Sequence, residues 1–347
     1  MPLLQKCYNT RFIKGEKMAR KQLKTLKNPP PPAGSKTLLT ILMPLYNQEP
    51  YIRDALDSIL MQETNYKYQL IINDDASTDN SLKIAKEYQA KYPNIIKILE
   101  VSKNTGLYGN IMRLYANTKT EYFCVLDPDD YWISKTRIQD ALDFLESHKD
   151  YTSYQGKTIM KYPDREVIYV DYPQDHTCDF NNLCKGRGAT MGHTSSSFFR
   201  NTLFKNGIPE KIANPKTESL KQTMSADSFR NFVSLHAGKA YHSTKIESVY
   251  RCTGNGDWTS RSTISQNFDN VFLWRNMWEY FEHQYPIFLL VSLQLYLQNR
   301  NNTLFYLDSI NESKKQSQAI KDLLALENLF NQHIQELQSF EAKLQQG

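Results

Sequence analysis

The 347-residue chain is 40% apolar and 12% aromatic, which suits about two domains, or one α/β domain with additions, and excludes disorder throughout. Its net charge of +5 is uneven: residues 1–36 hold nine Lys or Arg against Glu16 alone, a balance of +8 that leaves −3 for the remainder. The basic character therefore belongs to a tail, and a nucleic-acid-binding face on the body is excluded.

Met1 to Lys6 open without the apolar core or small-residue cleavage pattern of a secretory signal. Ile13 to Lys27 can form a basic helix able to rest on anionic lipid, and Asn28 to Ser35, with four consecutive prolines, reads as a linker. The tail and linker thus occupy residues 1–36, and a body follows over 37–262. Apolar runs and helical periodicity alternate from Leu38. A strand is expected over Leu38–Met43, a helix over Tyr51–Met61, a strand over Gln69–Ile72, a helix over Ser81–Tyr92 and a strand over Ile95–Val101. A helix around Asn110–Ala116 and the strand Tyr122–Leu126 complete the pattern. Strict alternation of this kind implies right-handed crossovers and a mainly parallel sheet covered on both faces. Beyond Asp150 the alternation loosens. Tyr151–Tyr162 and Glu166–Asp171 read as paired strands, Ser195–Phe199 as another, Met224–Ala237 as a helix and Ile246–Arg251 as a last strand. Residues 263–347 read as helical, with Ile320, Leu323, Phe330, Ile334, Leu337 and Leu344 in a stripe suited to packing or to pairing with a second copy. The longest apolar run, Ile287 to Leu297, falls short of the roughly 20 residues a membrane span requires.

Five scattered cysteines, Cys7, Cys124, Cys178, Cys184 and Cys252, form no disulfide framework and point to a reducing, cytoplasmic setting, with peripheral contact to the inner membrane face through residues 1–36. Cys178 and Cys184 lie near His176, but their separation is not a zinc spacing and further ligands are lacking, so no zinc site is expected there.

Loops leaving the carboxyl ends of parallel strands carry function. Three such loops stand out: Pro44-Leu45-Tyr46-Asn47-Gln48-Glu49, Asn73-Asp74-Asp75-Ala76-Ser77-Thr78-Asp79, and Asp127-Pro128-Asp129-Asp130. Tyr46 offers an aromatic face to a base and Asp75 an acceptor to an imide or ribose hydroxyl. The clustered acids of the third loop supply hard oxygen ligands for a divalent cation. Asp79 and Ser77 also suit helix capping, and an acidic turn after a strand also suits a solvated loop.

These tracts, together with Ile41-Leu42-Met43 and the segment Asn104-Thr105-Gly106 with Asn110, resemble in order and spacing the family 2 glycosyltransferases over residues 38–262. The resemblance implies an α/β fold of the GT-A type, Rossmann-like, with a nucleotide-binding half over 37–130, an acceptor half over 131–262 and a helical C-terminal extension. It further implies a nucleotide-sugar donor, leaning to UDP, a Mn²⁺ or Mg²⁺ ion, and inversion at the anomeric carbon. Carried over by position, Tyr46 and Asp75 meet the nucleobase, with Pro44, Glu49 and Asn104 near the nucleoside. Asp129 and Asp127 match the DxD motif, Asp129 as direct metal ligand, and Asp130 is a third carboxylate at the donor. Asp227, in Met224-Ser225-Ala226-Asp227, matches the catalytic base, although Ala226 stands where many relatives carry Glu. His193 and Trp258 fall on the acceptor side. Arg251 and Arg261 flank a Gly-containing loop that resembles the one closing over the donor, either arginine being suited to the diphosphate. The chain lacks the Gln-x-x-Arg-Trp sequence of processive synthases, so the expected reaction is addition of one sugar to a glycan or lipid-linked glycan of a bacterial surface polymer. Two other readings share some of these features: a non-catalytic scaffold of the same fold, and a sugar nucleotidyltransferase, whose Gly-rich basic loop after the first strand is absent here.

Overall fold

The computed structural model describes residues 36–184, 192–253 and 263–307, with a few positions between 324 and 338. The chain divides into two compact units, residues 1–253 and 254–347. The first is built on β1 (Leu39–Leu45), buried along its whole length. An apolar strand buried on both faces must pair on both edges, and β1 lies parallel between β2 (Tyr68–Asp74) and β4 (Tyr122–Val125). β3 (Ile96–Glu100) extends the parallel set beyond β2. The helices α1 (Ile52–Leu60), α2 (Ser81–Lys91) and α3 (Gly106–Ala116) form the crossovers. Ile52, Ala55, Leu56 and Ile59 of α1 pack with Ile41, Met43 and Ile72 in one core, the face that the sequence periodicity predicts.

After β4 come β5 (Tyr131–Trp132), α4 (Arg137–Ser147), β6 (Tyr151–Lys161), β7 (Glu166–Ile168), β8 (His176–Cys178) and α5 (Phe180–Cys184). A 3₁₀ turn over Thr194–Ser196 leads into β9 (Ser197–Arg200), followed by α6 (Glu210–Ala213), α7 (Glu218–Ser225), α8 (Asp227–Ala237) and β10 (Lys239–Arg251). The sheet order is β3-β2-β1-β4-β9-β6-β10-β5, with β7 on β6 and β8 on β10. β9 runs antiparallel to β4 and β6, so the sheet is mixed but mainly parallel, as a GT-A fold requires.

Three departures from the sequence expectations have local causes. The stripe Ile138, Ala141, Leu142 and Leu145 makes α4, an element for which no expectation was set. The single helix expected over Met224–Ala237 is two, broken at Ala226, whose extended backbone (φ −72°, ψ 152°) starts a new helix at Asp227. β10 begins at Lys239 rather than Ile246, because register shifts between His242 and Ser248 interrupt its alternation.

A buried ion pair braces the junction between the two halves of the sheet. Arg137 Nη1 donates to Glu247 Oε2 at 2.6 Å with both side chains at most 1% exposed. The guanidinium also faces the rings of Phe198 and Trp132, at 4.9 and 5.3 Å. Gly156 leaves room for the pair, since a Cβ there would fall 2.1 Å from Glu247 Oε2.

In the second unit, α9 (Thr263–Tyr280) and α10 (Pro286–Leu307) bury Val271 and Tyr296 against Phe272, Leu293 and Leu295. No helix among the described residues is long and apolar enough to cross a membrane. The basic tail, Trp258, Arg261 and most of the C-terminal stripe lie outside the described residues.

Candidate active site

Parallel β1, β2 and β4 end on one edge, which brings the three loops together. The first two are cross-braced. Asn47 Oδ1 accepts from Thr78 N at 2.8 Å, and Asn47 N donates to Ser77 Oγ at 3.1 Å. Glu49 accepts from Asn80 N and Nδ2, while Glu49 N donates to Asp79 Oδ2. Asn47 (φ 50°) and Ala76 (φ 61°) occupy the left-handed region, local strain of the kind that concentrates at ligand loops and is held by such bonds. Tyr46 is 44% exposed at the tip of the first loop, open for stacking, and Pro44 sits in β1 opposite Asn73.

Asp75 is buried, and its carboxylate accepts from Thr105 N, Thr105 Oγ1 and Gly106 N at 2.7–3.0 Å, holding the amino end of α3. Asn104 Nδ2 donates to Asp75 O at 3.2 Å. A carboxylate at a helix N-terminus is favoured by the backbone N–H groups and the dipole. This anchoring engages both carboxylate oxygens of Asp75 and fastens the Asn104 segment to the second loop. Beneath them Asn110 bridges Asn73 Nδ2 and Leu45 O.

The third loop carries the electrostatic tension. Burial raises the pKa of Asp127 to about 7, reinforced by Asp129 and Asp227 and opposed by Arg230. Burial also raises Asp129, against its own backbone hydrogen bond and Arg251. Asp130 is pushed well above the carboxylate range by burial, then by Asp129 and Asp127. Its Oδ1 accepts from Arg251 N at 3.1 Å, whereas Oδ2 is buried without a hydrogen-bond partner. His193 Nδ1 lies 3.6 Å from that oxygen. Nδ1 accepts from Ser195 N at 3.2 Å, which places the ring proton on Nε2 and presents a lone pair, not a donor, towards Asp130. Burial holds His193 at about 4 despite Asp227, so it is neutral near pH 7 and the contact is no ion pair. An orphaned carboxylate oxygen among three mutually repelling acids needs a proton or a cation. The donor set, hard and anionic, fits Mg²⁺ or Mn²⁺.

Asp227 opens α8 immediately after the break at Ala226. Its Oδ1 accepts from Ser228 N at 2.6 Å and its Oδ2 from Thr194 Oγ1 at 3.1 Å. Arg230, one turn along and 5% exposed, donates to Thr194 Oγ1, Tyr115 Oη and Ser225 O. Burial works against its charge, but Tyr115, Asp227 and Asp127 outweigh it and push the pKa up. Thr194 and Arg230 had been assigned no role; the signal for Arg230 was its i+3 spacing from Asp227, one helical turn. His193 stacks on Tyr250 at 4.2 Å between ring centroids, and Trp132 Nε1 ties β5 to Ser195 O at 2.9 Å. Arg251 Nη1 donates to Asp129 O at 2.8 Å, and Nη2 pairs with Asp54. The site thus gathers Asp127, Asp129, Asp130, His193, Asp227 and Arg251, with Tyr46, Glu49, Asp75 and Asn104 on the adjoining loops.

The model of the family described as glycosyl transferase family 2 matches residues 40–207. An uncharacterized protein of Mycobacterium tuberculosis is 27% identical over 230 residues, 66% of this chain and 63% of that protein. The dTDP-rhamnosyl transferase RfbG of Shigella flexneri is 37% identical over 153 residues, 43% of this chain and 52% of that protein. The chain thus spans less than two thirds of the length of these relatives. Among solved structures, Staphylococcus aureus TarS 1–349 in complex with UDP-GlcNAc aligns with a TM-score of 0.55 and 17% identity, over 83% of this chain and 80% of that one. The matched sequence region holds the three loops and the acid cluster, and the shared architecture is the mixed sheet that presents them. On these grounds residues 40–207 of the chain are similar to glycosyl transferase family 2.

Proposed function

We propose that the protein is a metal-dependent, inverting glycosyltransferase that moves one sugar from a nucleotide-sugar to a glycan acceptor of a bacterial surface polymer. The observation carrying this reading is the triad Asp127, Asp129 and Asp130, in which Asp130 is buried with an orphaned oxygen and Asp127 is in electrostatic contact with Asp227 at the head of α8. Tyr46 and the braced first two loops bind the nucleoside, for which a pyrimidine is favoured: the family resemblance leans to uridine, and the Shigella flexneri relative is named a dTDP-rhamnosyl transferase. Asp129 is the direct ligand of Mn²⁺ or Mg²⁺, with Asp127 and Asp130 beside it; when bound, the cation neutralises charge on the departing diphosphate. Asp227 takes the proton of the acceptor hydroxyl. Thr194 and Ser228 fix the orientation of its carboxylate. His193, protonated at Nε2, donates a hydrogen bond to an acceptor hydroxyl. Arg251 meets the diphosphate by exchanging its ion pair with Asp54.

Calorimetric titration with UDP and Mn²⁺ tests the donor half. Asp129→Ala should lose metal-dependent nucleotide binding by at least about tenfold, consistent with removal of a metal ligand; wild-type affinity in that variant would remove Asp129 from the metal. The same titration has a predictable pH dependence. Asp127 holds its proton up to about pH 7, and cation binding must expel it. Affinity should therefore rise roughly tenfold between pH 6 and pH 8, the dependence expected for competition with one proton. The metal-free protein should show the opposite trend in stability from this group. Its native state keeps the proton that the unfolded chain releases near pH 4, so stability falls as pH rises towards 7. A pH-independent nucleotide affinity would contradict the assignment of Asp127 to the cation site.

A further inference from the structure

Outside the carboxylate cluster, β8 and β10 pair antiparallel with His176 opposite His242 and Cys178 opposite Ala240. Directly paired residues share a face of a sheet, as do residues two apart on one strand, so this register sets His176, Cys178 and His242 on one face. Their ligand atoms all lie within 4.8 Å of one another. Cys178 is 6% exposed and His242 2%.

We propose that these three side chains bind a structural zinc ion. Two imidazoles and a thiolate form a borderline-soft donor set that prefers zinc over the oxygen-seeking Mg²⁺ or Mn²⁺ of the carboxylate site. Tetrahedral zinc holds its donor atoms roughly 3.4 Å apart, so the cluster has to contract by little more than an ångström. The two imidazoles stack at 4.6 Å with an 8° interplanar angle. Parallel rings cannot aim both lone pairs at one ion, so binding turns one of them about its Cβ–Cγ bond. Cys178 gives up its thiol proton on binding, one proton released for each ion, and a water completes the tetrahedron.

Position in the chain gives the ion its purpose. The segment from Cys178 to His242 contains His193, Thr194, Asp227 and Arg230, and a clip that closes a long segment removes much conformational freedom from the unfolded chain. The sequence expectation of no zinc here weighed Cys184 as a ligand; Cys184 instead belongs to α5, and the third ligand arrives from β10, far along the chain.

The test uses the full chain purified with Zn²⁺ and, separately, loaded with Co²⁺. One equivalent of zinc should survive dialysis, and the cobalt form should show thiolate-to-metal charge-transfer absorption. Both should be lost in Cys178→Ser and in His242→Gln and kept in Asp129→Ala, and zinc should raise the Tm of the wild type but not of Cys178→Ser. Absence of the thiolate band from the folded wild type overturns the proposal without recourse to any variant, as does persistence of the band in Cys178→Ser.

Discussion

Asp227→Asn should lower transfer by about 10²–10⁴-fold, the span typical of losing a general base, while leaving metal-dependent UDP binding within about twofold. Asn keeps the shape of Asp: its amide oxygen can still accept from Ser228 N, while its Nδ2, in place of Oδ2, donates to Thr194 Oγ1, the two groups that orient the native carboxylate. What it loses is the capacity to take a proton. The split between kcat and nucleotide affinity separates this role from helix capping: a cap mutant would lower stability and affect binding and turnover together. Initial rates of donor consumption with acceptor, beside the same titration used for Asp129, decide the matter. Undiminished transfer by Asp227→Asn would show that the proton leaves by another route.

Glu247→Ala should be the most destabilising single change in the first unit, by about 3–5 kcal/mol, because it strands the buried Arg137 charge. Arg137 Nε and Nη2 already lack hydrogen-bond partners and rely on the facing rings of Trp132 and Phe198. Removal of the carboxylate leaves the guanidinium with rings alone. Replacing both members, Arg137→Met with Glu247→Leu, should restore much of the loss, since a buried pair is worth little relative to well-packed apolar side chains. Urea unfolding of the two single variants and the double variant measures this, and additive losses would contradict the account. Ile133 N donates to the backbone carbonyl of Glu247 at 2.9 Å, a bond that ties β10 to the chain just beyond Asp130 independently of the side-chain pair.

The parallel half of the sheet was legible because β1, β2 and β4 are apolar runs buried on both faces and their helices carry a clear 3.6-residue period. The acid cluster alone also suited a solvated loop, and it gained meaning only beside the other two loops that leave neighbouring strands on the same edge. The acceptor half was harder. β10 carries bulges that blur its alternation, and a single extended residue, Ala226, divides two helices that periodicity joins. Thr194 was obscured for a different reason: it reaches Asp227 from a segment distant in sequence and nothing in the local pattern marks that proximity, whereas Arg230 lies one helical turn from Asp227. The pairing of His176 with His242 likewise exists only through strand register.

The cross-bracing of the nucleoside loops has a consequence for how donor preference can change over evolutionary time. Asn47, Glu49, Asp75, Ser77, Thr78, Asp79 and Thr105 satisfy one another's hydrogen bonds, so altering one residue to suit a new base leaves its neighbours with unmet donors or acceptors. Isolated substitutions are penalised and compensated sets are permitted. Shifts in donor preference at this edge should therefore occur as coordinated changes across the loops, with epistasis among positions far apart in sequence but mutually bonded in the fold.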